Sequence, residues 1–79
     1  MDKLFEHFKE EFGSNIKTER ELQKLTLQDM EFHTGIDFSD FSKIEQGKKN
    51  ITFKTLYKIA KALNRHPKDL FNFRFDFKD

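Results

Sequence analysis

The order of helix-start and helix-stop residues between positions 26 and 64 is the feature that most constrains how this chain folds. Thr26, Asp37 and Thr52 favour helix N-termini, because their side-chain oxygens accept hydrogen bonds from unpaired amides of the first turn. Gly35 and Gly47 suit the helix ends that follow, since glycine adopts the left-handed conformation found there. The pattern predicts three helices joined by short turns, over residues 26–34, 37–46 and 52–63. The last of these helices would end at Asn64, which tolerates the left-handed region, and would bury Phe53, Leu56, Ile59, Ala60 and Leu63.

Apolar spacing predicts helices on both sides of this region. Residues 2–12 place their apolar side chains at helical intervals, namely Leu4, Phe5, Phe8 and Phe12. Residues 14–24 form a second helix, or continue the first one beyond Gly13. Pro67 suits the first turn of a short last helix at residues 67–72. With one proline and three glycines in 79 residues, we expect an all-α fold.

The chain is long enough for a single domain, which we assign to residues 1–79. Its core lies at residues 12–71, preceded by a helical extension at 1–11 and followed by a tail at 72–79. In the tail, phenylalanine alternates with polar residues, and this period of two predicts a strand or an extended arm. The sequence leaves three alternatives open for the tail: a strand that pairs with a second copy of the chain, an arm that lies against the helices, or a frayed end.

Composition and charge narrow the class of protein. The chain has no cysteine, no apolar run long enough to span a membrane, and an N-terminus too rich in acids for a signal peptide. We therefore expect a soluble, cytoplasmic protein. Residues 38–68 carry eight Lys and Arg against two Asp and Glu, whereas residues 1–37 carry five against nine. The basic segment suggests a polyanionic ligand or a solvated helical surface.

Residues 26–50 combine two short helices with a tight turn at Gly35, the arrangement that places a second helix in the DNA major groove. That second helix, at 37–46, is expected to pack through Phe41 and Ile44, with Ile36 pointing inward just before it. Four other side chains then face outward: Phe38, Ser39, Ser42 and Lys43.

Six short segments, in this order and spacing, resemble the Cro/repressor-type (XRE) helix-turn-helix family. They are FG and Ile at 12–16, Arg20, LT at 25–26, Gly35-Ile36, KIEQGKKN at 43–50 and TLYKIAKAL at 55–63. The resemblance implies a five-helix, lambda-repressor-like domain that binds double-stranded DNA. It also implies a transcriptional regulator acting as a homodimer on a palindromic operator.

The resemblance further implies a role for individual residues. Phe38, Ser39, Ser42 and Lys43 would read bases, since serine serves several bases, lysine favours guanine and phenylalanine packs on the thymine methyl. Arg20 and Glu45 would form a structural ion pair. The phosphate contacts would come from the start of one helix and a basic loop, comprising Thr26, Leu27, Gln28, Lys48, Lys49 and Asn50.

Several residues depart from the family pattern. Leu27 stands where glutamine is common, Glu31 where a small alanine usually packs, and Asp37 and Asp40 add negative charge beside the DNA. The acidic Asp37 and Asp40, together with an exposed Phe38, favour an alternative function, an antitoxin or protein-interaction module of the same fold with weak or autoregulatory DNA binding. The protein partner would then be a molecule such as a toxin.

The sequence offers little for catalysis or cofactor binding. The three histidines, His7, His33 and His66, are scattered and lack the spacing of a metal site. No nucleophile-and-base set and no glycine-rich phosphate loop is present. We therefore expect no enzyme activity, no metal and no cofactor.

Overall fold

Four α-helices and one short 3-10 helix make up the structure, a computed structural model that describes residues 2–77. The α-helices are α1 (Lys3–Leu22), α2 (Leu27–Thr34), α3 (Phe38–Glu45) and α4 (Phe53–Leu63). The 3-10 helix spans Pro67–Phe71. The described chain contains no strand, so the all-α prediction is confirmed.

The predicted helix starts are confirmed by their hydrogen bonds. The side chain of Thr26 accepts from the amide of Asp29, that of Asp37 from Ser39, and that of Thr52 from Thr55. These bonds satisfy amides that have no acceptor within the helix. The bounds of α2, α3 and α4 therefore lie within a residue or so of the predicted ones.

The predicted helix ends are also confirmed. Gly35 and Gly47 both have φ of 77°, and Asn64 has φ of 52°. Lys24, just after the end of α1, adopts the same left-handed conformation with φ of 58°. This conformation is less favourable for lysine than for glycine, because lysine carries a β-carbon. Sequence reasoning placed this helix end two residues late, because lysine gives no signal for a left-handed position.

The core lies where α1, α2, α3 and α4 meet. It is built from side chains of every helix: Phe12, Ile16, Met30, Phe41, Ile44, Ile59, Ala60, Leu63 and Leu70. The helix α1 packs against α3 and the 3-10 helix, and α2 packs against both α3 and α4. This arrangement supports α3 from behind and leaves its other face in solvent.

Helix α1 runs without interruption through Gly13, so residues 14–24 continue the first helix and do not form a second one. A β-carbon on Gly13 would lie 2.4 Å from the backbone oxygens of both Ile44 and Glu45. The glycine is therefore required by the close crossing of α1 over the end of α3 rather than by a turn. Over residues 3–11 the expected extension is the first half of this long helix.

The expected count of five α-helices is wrong for the described residues. The last one, predicted at 67–72, is a single 3-10 helix of five residues that buries Leu70. The side chain of Asn15 donates to the carbonyl of Asp69 at 3.0 Å, which ties this turn to α1. A segment this short is fixed by such tertiary contacts more than by helix propensity.

The tail forms no strand over residues 72–77, and positions 78 and 79 lie outside the described residues. Its rings pack on α1 instead: the centroid of Phe8 lies 5.9 Å from that of Phe73 and 5.3 Å from that of Phe75. The ring of Phe75 also lies 5.5 Å from His7. Alternating rings thus cover one side of a helix, so the arm is the correct alternative.

Phe53 was expected in the buried stripe of α4, and this is wrong because its side chain is 89% exposed. It occupies the first position of the helix. Side chains point back toward the N-terminus of their helix, so this ring projects off the end of α4 and away from the core.

Candidate nucleic-acid interface

The turn between α2 and α3 is fixed by side-chain hydrogen bonds. The hydroxyl of Thr34 donates to the carbonyl of Met30 at 2.6 Å and accepts from the amide of Ile36 at 3.0 Å. The carboxylate of Glu31 spans the turn and accepts from the amide of Phe38 at 3.3 Å. These bonds fix the direction in which α3 leaves the turn.

The rear of α3 is anchored by a buried ion pair. Arg20 Nε lies 2.7 Å from Glu45 Oε2, and Arg20 Nη2 lies 3.0 Å from Glu45 Oε1, a bidentate arrangement. Arg20 Nη1 also donates to the carbonyl of Leu25 at 2.8 Å, beyond the end of α1. The hydrogen bonds to Glu45 raise the pKa of Arg20, which stays charged. This pair joins α1, the following loop and α3.

The front of α3 carries the four side chains predicted to read bases. Phe38 is 43% exposed, Ser39 and Lys43 are exposed, and Ser42 is half-buried. Their opposite neighbours, Phe41 and Ile44, are buried. All four candidates therefore lie together on a solvent-facing stripe about two turns long.

At the start of α2 the residues predicted to contact phosphate differ in their exposure to solvent. Thr26 and Asp29 form a capping box, with Thr26 N donating to Asp29 at 2.8 Å and Asp29 N to Thr26 at 3.0 Å. Hydrogen bonds from the backbone and the side chain of Thr26 to the Asp29 carboxylate lower the pKa of Asp29. Gln28 is exposed, whereas Leu27 is half-buried and packs against the core. Gln28 therefore offers its side chain to solvent at this helix start, and Leu27 does not.

The start of the basic loop after α3 is fixed by a backbone hydrogen bond to the helix. The amide of Lys48 donates to the carbonyl of Lys43 at 2.9 Å, which closes the helix end around Gly47. Lys48, Lys49 and Asn50 are all exposed. Lys49 Nζ lies 3.6 Å from Asp40 Oδ1, so this cation and one of the unexpected acids of α3 neutralise each other.

Two residues of this region escaped sequence reasoning. Glu31 was noted only as a departure from the expected alanine, although it caps α3 across the turn. Gly13 was interpreted only as a place where α1 either breaks or continues, although it lets α1 approach the end of α3. A glycine inside an otherwise regular helical pattern was the one available signal for a close backbone approach.

No helix in the described part of the chain is long and apolar enough to cross a membrane. Among residues 2–77 no three His, Cys, Asp or Glu side chains come together in a group suited to a metal ion.

A helix with a solvent-facing polar stripe, braced by a preceding helix and followed by a basic loop, defines a helix-turn-helix protein of the DNA-binding class. The chain belongs to the XRE-type helix-turn-helix family, whose sequence profile, described as helix-turn-helix, matches residues 16–70. It is accordingly a DNA-binding transcriptional regulator. Proteins of this class are typically not enzymes.

Two solved structures share the fold. The restriction-modification controller protein C.AhdI from Aeromonas hydrophila superposes with a TM-score of 0.75 at 28% identity, covering 77% of this chain and 92% of that one. The clp gene regulator ClgR from C. glutamicum superposes with a TM-score of 0.77 at 20% identity, covering 81% and 83%. No curated protein sequence matches the chain.

Proposed function

We propose that the chain recognises a specific DNA sequence as a homodimer, with α3 of each copy in one major groove of a palindromic site. The observation that carries this proposal is the stripe of Phe38, Ser39, Ser42 and Lys43, which the fold leaves in solvent. Half-site centres in such dimers lie about 34 Å, or roughly 10 base pairs, apart.

The surfaces beside the stripe suit phosphate groups. At one end, the start of α2 presents Thr26 and Gln28, with helix amides nearby that favour an anion. At the other end, Lys48, Lys49 and Asn50 extend from the loop. A phosphate near Lys49 competes with Asp40, so we assign the stronger clamp to Lys48, which has no carboxylate in contact among the described residues.

A dimer is proposed because one domain of this size offers too little contact for tight, specific binding. The two Phe-rich ends of the chain pack on each other through Phe8, Phe73 and Phe75. Helix α4 instead exposes Phe53 and Tyr57 to 89% and 62%, one turn apart. These two rings are the surface that we assign to the dimer.

An apolar groove beside Phe53 strengthens this assignment. It encloses about 200 Å³ between α1, α4 and the 3-10 helix, and Phe53 lies at its rim. Its walls include Phe5, Phe8, Phe12, Ile51, Leu56 and Phe71. A projecting ring next to an apolar groove is self-complementary under a two-fold axis, because each copy offers both elements to the other.

The DNA-binding proposal is tested by selecting duplexes from a random library and titrating the selected site. Lys43→Ala is expected to weaken binding to that site and change the base preference. Lys48→Ala is expected to weaken binding to all sequences alike and to reduce the slope of log affinity against log salt by about one. Absence of any selected sequence, or an unaltered preference in Lys43→Ala, would contradict the proposal.

The dimer proposal is tested by sedimentation. Phe53→Ser should give the monomer mass at concentrations where the wild type has the dimer mass. Phe32→Ser is the matched control, because Phe32 is 84% exposed on α2, outside the proposed surface. A monomeric wild type on its selected duplex would rule out the homodimer, and a dimeric Phe53→Ser variant would rule out the α4 surface.

The alternative function is an interaction module that binds a protein such as a toxin. The same exposed rings, Phe53 and Tyr57, favour it, since a protein partner would cover them equally well. The two functions differ in the sedimentation experiment. A chain that stays monomeric and selects no DNA, yet forms a defined complex with a genomically adjacent gene product through Phe53, would support the alternative.

A further inference from the structure

The two serines of the α3 stripe are held by their neighbours in opposite hydrogen-bonding states. The carboxylate of Asp37 receives a hydrogen bond from the hydroxyl of Ser39 and another, at 2.8 Å, from the Ser39 amide. An ionised carboxylate only accepts, so the Ser39 proton is committed to Asp37. What Ser39 offers outward is the acceptor side of its oxygen.

Ser42 has the reverse arrangement. Gln46 Nε2 donates to Ser42 Oγ at 2.9 Å, one turn farther along the helix. An amide nitrogen only donates, so the Ser42 oxygen is the acceptor in this contact and its own proton remains available. Ser42 therefore keeps both its proton and a second lone pair for a ligand in front of α3.

We propose that the contact with Asp37 fixes the polarity of Ser39 and makes it sequence-selective, accepting from amino groups of bases, whereas Ser42 keeps its proton and a second lone pair and so still donates or accepts. The inference rests on the proposed function, DNA recognition by α3. A free serine hydroxyl donates or accepts and so discriminates little between bases. Asp37 acts here as a positioning residue, because it sets the polarity of Ser39 without itself being required to contact a base.

The base edges then specify the expected preference. In the major groove, adenine N6 and cytosine N4 are donors, whereas guanine and thymine offer no amino group there. Ser39 should therefore select adenine or cytosine on the strand it contacts.

The geometry favours this reading over a purely structural role for Asp37. Asp37 already caps α3 through the Ser39 amide, and the hydroxyl contact adds nothing to the pairing of helix amides. The second hydrogen bond also holds the Ser39 side chain in one orientation on the exposed stripe. A cap without this bond would stabilise the helix equally but leave the hydroxyl free to rotate.

The test compares sites selected from a random duplex library by the wild type and three variants. Ser39→Ala identifies the base position that Ser39 reads, as the position where preference disappears. At that position we expect the wild type to favour adenine or cytosine by about fivefold, the worth of one hydrogen bond. Asp37→Gly removes the acceptor, so this preference should disappear while glycine still serves as an adequate cap.

Asp37→Asn is the matched control, because its side-chain oxygen still accepts while the negative charge is lost. It should keep the preference for adenine or cytosine and strengthen binding to all duplexes. Thermal melting of each variant verifies that the helices are folded under the selection conditions.

Each remaining outcome overturns the inference. A preference retained in Asp37→Gly shows that Asp37 does not set it, and a preference lost in Asp37→Asn shows that charge, not polarity, sets it. A wild type that selects a motif in which Ser39→Ala changes no position contradicts the inference while the proposed function stands. A wild type that selects no motif contradicts the proposed function itself.

Discussion

The two faces of α3 are built in different ways. The rear face meets α1 through backbone atoms at Gly13 and through the bidentate pair of Arg20 and Glu45, both in the interior. The front face is exposed, and its hydrogen bonds and ion pairs are with residues close in sequence, as in the contact between Asp37 and Ser39. The rear therefore determines where the helix lies, and the front determines what it presents.

This difference separates stability from specificity within eight residues of helix. A change on the rear leaves a buried charge or forces helices apart, so it acts on folding. A change on the front alters exposed side chains, which usually contribute within about 0.5 kcal/mol to stability. Changes on the front of α3 are therefore expected to leave the packing of its rear unaltered.

The largest expected effect is at the ion pair. Arg20→Met should lower the free energy of unfolding by about 3–5 kcal/mol, because Glu45 would remain buried and uncompensated. It also removes the donor to the Leu25 carbonyl. Urea unfolding followed by circular dichroism measures the loss.

The control for this prediction is the double variant Arg20→Met with Glu45→Leu, which removes both charges. It should regain a large part of the lost stability, since paired buried charges are often replaceable by apolar groups. A double variant no more stable than Arg20→Met would show that the loss does not come from an unpaired carboxylate.

The second effect is at the helix crossing. Gly13→Ala should destabilise the fold by about 1–3 kcal/mol, because its β-carbon would lie 2.4 Å from two backbone oxygens that no rotamer change can move. Ser14→Ala, one residue along and exposed, is the control and should be neutral or slightly stabilising. Equal melting temperatures for the two variants would show that α1 and α3 do not cross this closely.

Sequence reasoning located the front of α3 because its signals are local. Thr26 and Asp37 cap the amides of their own first turns, and Gly35 and Gly47 end helices through their own backbone conformation. No knowledge of distant residues is needed to interpret such positions. The boundaries of the two helices and the outward set on α3 were predicted correctly for this reason.

The rear of α3 was less predictable because its causes are distant in sequence. Gly13 contacts backbone more than thirty residues away, so an isolated helix pattern gives no reason for it. The ion pair came from family resemblance and not from spacing. The tail shows the same limit: the alternation of Phe73 and Phe75 left a strand and an arm open, because its partner is the side of a helix distant in sequence.

The smallest expected effect concerns the charge of Asp37 on the front face. Hydrogen bonds from Ser39 lower the pKa of this carboxyl below its usual 3.8. A lowered pKa contributes stability above the unfolded value, and that contribution is lost as pH falls through the folded value. Stability should thus decline below about pH 4, and Asp37→Asn should decline less steeply. Unfolding midpoints between pH 6 and roughly pH 2.5 measure both slopes.

Because Asp37 is exposed and acts on one helix turn, the difference should be small beside the loss in Arg20→Met, whatever the pH. If the slopes coincide, the carboxylate of Asp37 is not tied to Ser39 in solution, and the front of α3 carries a freer hydroxyl than its geometry indicates.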